Sequence, residues 1–228
     1  SNIDIVVSLN ASPFQLNKQN ERIDICKNFA VKFDITFIYV NMVGGQDEVV
    51  FDGNSFVVNK KGDVSLQLPA FKECTTSHID TTIHQSKASD ESSIYSAIVL
   101  ATKDYIQKNS FSGALIGLSG GIDSALVAVI AAAALGPENI TAMLMPSPWS
   151  SKGSVKDATT LANRLGIHQQ KIPISDVMTS FNDVLSNSTS GIPTGITAEN
   201  LQSRIRGTIL MALANQKKHL LLSTGNKS

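Results

Sequence analysis

The stretch Gly117-Leu118-Ser119-Gly120-Gly121-Ile122-Asp123-Ser124 joins two segments of opposite character. Before it runs Ala114-Leu115-Ile116, short, apolar and strand-like. After it runs Ala125 to Leu135, rich in Ala, Val and Ile and free of Gly and Pro, which predicts a helix. Strand, glycine loop and helix together make the layout of a phosphate site. The glycines let backbone amides approach an anion, and the new helix aims its free N–H groups and positive dipole end at it. The loop adds two hydroxyls, Ser119 and Ser124, and one carboxylate, Asp123. A carboxylate beside a polyphosphate calls for a divalent cation between them, most often Mg2+. No Lys follows the glycines as a Walker A loop requires, and the spacing is not G-x-G-x-x-G. The plainer reading is a glycine turn with Asp123 as the helix N-cap.

Outward from the loop, strands and helices alternate from residue 90 onward. A helix starts near Asp90 or Ser92, with Ile94, Ala97, Ile98, Ala101, Tyr105 and Ile106 as its apolar stripe. Beyond the loop helix, Gly136-Pro137 turns the chain into a strand over Ile140 to Met145. A Ser/Pro loop follows, then a helix with Val155, Ala158, Leu161, Ala162 and Leu165 inward, closed by Gly166. A strand near Gln170 to Ile174, a helix over Asp176 to Leu185 and a polar stretch over Asn187 to Ile196 come next. A long helix capped by Thr197 runs to about Lys217, and Leu220 to Ser223 is the last strand. This alternation predicts a parallel sheet covered on both faces, with ligands at the carboxyl ends of its strands. The loops at Ser119, Pro146 and Thr224 all leave such ends.

The first part reads differently. Ile3 to Leu9 is predicted as a buried strand. A helix from Asn17 places Ile23, Cys26, Phe29, Ala30 and Phe33 on one face, so Cys26 is a core residue rather than a nucleophile. Ile35 to Val40 is a strand, and Asn41 to Glu48 a polar loop with paired glycines. Asp52-Gly53 between Val49–Phe51 and Ser55–Val58 signals a hairpin. Asn59 to Gly62 turns the chain into Val64 to Leu68. Residues 71–89 read as a linker between a first domain, 1–70, and a second, 90–228. His78 and His84 in that linker are expected to be solvated.

Of the 228 residues 42% are hydrophobic, enough for a core, and the formal net charge is zero, which argues against a nucleic-acid surface. The two cysteines match no disulfide or metal spacing, and a reducing cytoplasm is the expectation. No apolar run reaches membrane-spanning length. Both ends of the chain read as cuts through folded domains.

Several segments resemble one family. The loop Ser119-Gly120-Gly121-Ile122-Asp123-Ser124 resembles the pyrophosphate loop of the ATP-pyrophosphatases. Together with Met145-Pro146-Ser147, Glu199 to Gly207 and Ser223-Thr224-Gly225-Asn226-Lys227-Ser228, it resembles NAD synthetase. Asn10 to Phe14 with Lys18, and Val43 to Glu48 before Phe51-Asp52-Gly53, resemble the later half of a nitrilase-type glutamine amidase domain. That pairing is the arrangement of glutamine-dependent NAD synthetase. The resemblance implies an α/β chain: the C-terminal part of a nitrilase-like sandwich, then a Rossmann-like ATP-pyrophosphatase domain with a parallel sheet. It implies ATP- and Mg2+-dependent amidation of deamido-NAD through an adenylated carboxylate, with ammonia drawn from glutamine, in a homo-oligomer.

Residue by residue, the resemblance assigns ATP to Gly117, Leu118, Ser119, Gly120, Gly121, Ile122, Asp123 and Ser124, with Met145 offering backbone groups to adenine and Thr224 a further contact. Asp123 takes Mg2+. Asn200 and Arg204 take deamido-NAD, whereas Arg206 reads as a surface cation. Ser12 and Lys18 take glutamine, although from the residues alone they read as a loop leading into a helix and a solvated Lys. The family's amidase Glu, Lys and Cys fall upstream of the matched segment, and its second metal-binding Glu falls after the position of Ser228. The chain alone is therefore expected to be inactive. Two other readings stay open: another ATP-pyrophosphatase, such as a GMP synthetase or tRNA-thiolating enzyme, and a non-catalytic nucleotide-binding module.

Overall fold

The structure is a computed structural model that describes residues 3–77, 88–186 and 193–224. Its elements are β1 (Ile5–Asn10), α1 (Lys18–Phe33), β2 (Thr36–Asn41), β3 (Val43–Gln46), β4 (Val49–Asp52), β5 (Phe56–Val58) and β6 (Val64–Gln67), then α2 (Asp90–Lys108). There follow β7 (Ala114–Gly117), α3 (Ile122–Leu135), β8 (Ile140–Leu144), α4 (Lys152–Leu165), β9 (His168–Lys171), α5 (Ser175–Ser186), α6 (Gly195–Lys217) and β10 (Leu220–Leu222). Two units divide the chain, Ser1–Tyr105 and Ile106–Ser228.

In the second unit, β10, β7, β8 and β9 form one parallel sheet in that order. Its two faces are set by the period of two along each strand. Ile116, Ala142 and Leu144 pack with Ala128 and Ala131 of α3 and Ala158 and Ala162 of α4. Leu115 and Met143 face the other way, onto Met178 of α5 and Ile205 of α6. Alanines at the first contact let the helices lie close to the strands. A fully buried Ile or Met such as Ile116 or Met143 contributes about 2–3 kcal/mol. Strand order runs from β7 through β8 to β9 on one side, and β10 lies on the other side of β7. That reversal leaves a crevice at the strands' carboxyl ends, where the expected ligand loops sit.

Local signals close these helices. Ser151 caps α4 by accepting from the Ser154 amide at 3.0 Å. Gly166 ends α4 at φ 68, and the Ile167 amide returns to the Ala162 carbonyl. Before β7, a Cβ on Gly113 would meet the Asn139 carbonyl at 2.3 Å and His219 Nε2 at 3.1 Å. The Nδ1 of His219 is buried without a partner among the described residues, and burial pushes the ring's pKa down, which holds it neutral.

In the first unit, β1, β2, β5 and β6 form a mixed sheet, with β1 parallel to β2 and the other pairs antiparallel. Cys26 and Ala30 of α1 pack on Tyr39, Phe56 and Val58. Burial pushes the Cys26 thiol up to about 11, so it stays protonated and poorly nucleophilic, as expected of a core residue. The two strands β3 and β4 form a separate ribbon.

Several expectations are corrected here. The predicted hairpin at Asp52-Gly53 is absent: β4 pairs with β3 across Asp47-Glu48, and β5 pairs with β2 and β6. Gly53 serves a close approach, since a Cβ there would lie 2.4 Å from Val43 Cγ2. The stretch with paired glycines, read as a loop, is strand β3, and a Cβ on Gly45 would press on the Ala101 backbone of α2 at 3.1 Å. Ile5, Val7 and Leu9 of β1, expected to be buried, are exposed on one face of an edge strand. Phe29 and Phe33 also lie half in solvent, stacked on each other at 5.8 Å, and Arg22 takes a buried place on α1 instead. The cap of α6 is Thr194, not Thr197. The strand expected near Gln170 to Ile174 starts earlier, as β9, and Ile174 is a core residue ahead of α5. His78 and His84 lie outside the described residues. No helix among the described residues is long and apolar enough to cross a membrane.

Candidate functional site

The glycine loop leaves β7 at Gly117. Leu118 ties it to the sheet by donating to the Met143 carbonyl at 2.9 Å. The loop then folds around one buried hydroxyl. Ser124 Oγ accepts from the Ser119 amide at 3.2 Å, donates to the Gly121 carbonyl at 3.0 Å and lies 3.0 Å from Ser119 Oγ. Ser124 is only 2% exposed, so it shapes the cradle from within. Ser119 Oγ also accepts from the Gly121 amide at 3.2 Å.

Gly121 is the N-cap of α3 and makes no side-chain cap, so the plainer reading of Asp123 as the cap is overturned. Asp123 sits one residue inside the helix. Its carboxylate is exposed and has no hydrogen bond or ion pair among the described residues. The first amides of α3 have no intrahelical acceptors and point along the dipole toward the loop. Ile122 is 81% exposed, so only its backbone serves the cradle.

The two glycines differ in what they permit. Gly120 has φ 86, and a Cβ there would lie 2.3 Å from the Ser154 carbonyl of α4. Gly121 has φ −84, and its Cβ would meet only Ser119 Oγ, at 3.4 Å. Gly120→Ala is expected to cost at least about 2 kcal/mol, from left-handed strain plus the collision. Gly121→Ala is expected to stay within about 0.5 kcal/mol. Thermal denaturation checks this pair, and equal losses would contradict the described loop.

Beside the loop lies a cleft of about 360 Å3. Ser119, Ser150 and Ser154 line its polar part, and Met145, Val155, Ala158 and Leu210 its apolar part. The Ser147 amide donates to Ser150 Oγ at 2.9 Å, which folds the loop after β8 back on itself. Arg206 reaches in from α6, donating from Nε to the Met145 carbonyl at 3.1 Å. Desolvation lowers its pKa. The expectation of a surface cation at Arg206 is thus overturned. Its neighbour two residues back, Arg204, is the exposed one, as is Asn200. Thr224 follows β10 and is partly exposed, and 225–228 lie outside the described residues.

Ser12 and Lys18 belong to the first unit. Ser12 is held in a buried network: its amide donates to Asn41 Oδ1 at 2.9 Å, its carbonyl accepts from Arg22 Nη2 at 2.9 Å, and its Oγ accepts from Arg22 Nε at 3.2 Å. Arg22 in turn pairs with Asp52, Nη1 lying 2.9 Å from each carboxylate oxygen. Lys18 opens α1 and donates to Gln15 Oε1 at 3.4 Å. No described hydrogen bond joins Ser12 to Lys18. Among the described residues no group of three His, Cys, Asp or Glu side chains could hold a metal, and Asp123 is the carboxylate that the glycine loop itself carries.

Comparisons with known proteins bear on this site. A family model described as NAD synthase matches residues 94–228. The glutamine-dependent NAD(+) synthetase of Synechocystis is 46% identical over 236 residues, covering 99% of this chain and 42% of that protein. The enzyme of the same name from Acinetobacter baylyi is 41% identical, covering 100% of this chain and 43% of its own length. Among solved structures, a glutamine-dependent NAD+ synthetase from Acinetobacter baumannii in complex with ADP superposes with a TM-score of 0.87 at 39% identity, over 99% of this chain and 44% of that one. The chain spans under half the length of these relatives.

Proposed function

Because this chain belongs to the NAD synthase family, we propose that it is part of an enzyme that converts deamido-NAD to NAD with ATP, Mg2+ and ammonia released from glutamine. One observation carries the reading: a glycine cradle at the switch point of a parallel sheet, with the carboxylate of Asp123, unpaired among the described residues, at its rim.

A free carboxylate is a poor acyl donor, since its leaving group would be oxide. Transfer of AMP onto the nicotinate carboxylate of deamido-NAD supplies a stable leaving group, and ammonia then displaces AMP. The chain's task in the first step is to hold ATP in line and to neutralise the charge that builds on pyrophosphate. Backbone amides of Gly120 and the start of α3 do this with the Ser119 hydroxyl, which lines the cleft, while Ser124 takes the Ser119 amide and keeps the loop's shape. The apolar wall near Met145 takes adenine, and Thr224 adds a contact. Asn200 and Arg204, one turn apart on the exposed side of α6, take deamido-NAD. Asp123 fits Mg2+, which is commonly held by one or two carboxylates and substrate phosphates. When bound, the ion would supply positive charge to the phosphates.

In the first unit, read as nitrilase-like, Ser12 and Lys18 take glutamine, a hydroxyl and an ammonium suiting its charged head group. The domain limits in this reading are 1–70 and 90–228, and the protein is a cytoplasmic homo-oligomer. Incubating the full-length protein with ATP, Mg2+, deamido-NAD and glutamine tests it. One AMP per NAD is expected; no AMP dependent on deamido-NAD would refute it.

A further inference from the structure

Arg206 is the one ionisable side chain lining the cleft among the described residues. No carboxylate pairs with it there, and only its Nε is engaged, on the Met145 carbonyl. Its two terminal nitrogens make no bond among the described residues. A guanidinium in this state is unusual. Its partial burial already disfavours the charge, as the lowered pKa reports, yet no protein anion offsets that cost. Locking Nε also fixes the plane of the group, so the remaining fork is aimed before any ligand arrives. A planar fork of two N–H donors fits two oxygens of a phosphate or carboxylate.

The rest of the lining narrows the choice of anion. The apolar wall suits a base, and the serines with the glycine loop suit phosphates. Arg206 reaches the same cleft from a third element, α6. We infer that Arg206 is a phosphate ligand of the bound nucleotide, its fork preset by the bond to Met145. The inference rests on the nucleotide reading of the cleft and assigns the role to a residue that the motif resemblance left at the surface.

The test uses the full-length protein and measures the dissociation constants of ATP and of adenosine in the absence of deamido-NAD. Arg206→Met keeps the apolar stem and removes the fork. It is expected to weaken ATP about tenfold or more and to leave adenosine within about twofold. Arg206→Lys should recover part of the loss, since a point charge returns without the fork. Equal weakening of ATP and adenosine would overturn the inference, because Arg206 would then act only on the base through Met145. Unchanged ATP binding with a raised KM for deamido-NAD would overturn it too, by assigning the fork to the second substrate's carboxylate. If Arg206→Met does not fold, the ATP-to-adenosine ratio of Arg206→Lys against wild type decides: a lowered ratio of affinities supports the inference and an unchanged one rejects it. Failure of the wild-type protein to bind ATP would instead sink the functional reading.

Discussion

Asp123→Asn in the full-length protein is expected to lower AMP formation dependent on deamido-NAD by about a hundred- to a thousand-fold, while glutamine hydrolysis persists. The substitution is nearly isosteric and removes one charge. Asp123 is exposed and has no bonding partner among the described residues, so folding has little reason to suffer. The loss should therefore fall on the chemical step and not on the melting temperature. Single-turnover AMP release, measured beside a thermal melt, separates the two. AMP production at the wild-type rate would refute the metal role of Asp123.

Asp52→Ala is expected to have the largest effect on stability, about 3–5 kcal/mol. It would leave the Arg22 guanidinium 5% exposed with its charge uncompensated. The neighbouring carbonyls of Ser12 and Pro13, 2.9 and 3.0 Å from Nη2, offset only part of that cost. By contrast Lys60 and Asp4 meet at 3.6 Å on the surface, and Asp4→Ala should cost less than about 1 kcal/mol. Urea denaturation of the two variants gives the comparison, and similar losses would contradict the buried pair. Under the proposed assignment of glutamine to Ser12, the pair also bears on function, because Arg22 holds Ser12 by both its carbonyl and its hydroxyl. A surviving Asp52 variant should show a raised KM for glutamine.

The centre of the fold was legible because its signals are local. Apolar Ala114-Leu115-Ile116, three glycines and a long apolar helix make strand, loop and helix before any tertiary contact is known. The alternation after residue 90 then gives the parallel sheet, and with it the side on which ligands bind. What was not legible depends on partners distant in sequence. Asp52-Gly53 carries a strong turn signal, but Asp52 is committed to Arg22 and Gly53 to the close approach of Val43, while the turn forms at Asp47-Glu48. Of the paired glycines read as a loop, Gly45 lets α2 lie on β3.

Arg206 was missed for a similar reason. Two residues apart on a helix, Arg204 and Arg206 point to opposite sides, and the motif alone does not say which side faces in. A usable clue was present: Arg206 stands three residues before Ile209 and four before Leu210, both of which pack against the buried cluster around Met143. Ser124, expected to touch pyrophosphate, is buried, and its hydroxyl is bonded within its own loop, which the motif alone does not reveal.

The central claim is that the cleft joins AMP to the carboxylate of deamido-NAD before nitrogen enters. Deamido-NAD labelled with 18O in both oxygens of the nicotinate carboxylate tests this directly when turned over by the full-length protein. Attack of that carboxylate on the α-phosphorus, followed by displacement with ammonia, carries one 18O into the phosphate of AMP and leaves the other in the amide. Mass spectrometry is expected to find one 18O per AMP and unlabelled pyrophosphate. Unlabelled AMP, with the label in pyrophosphate or inorganic phosphate, would contradict the account.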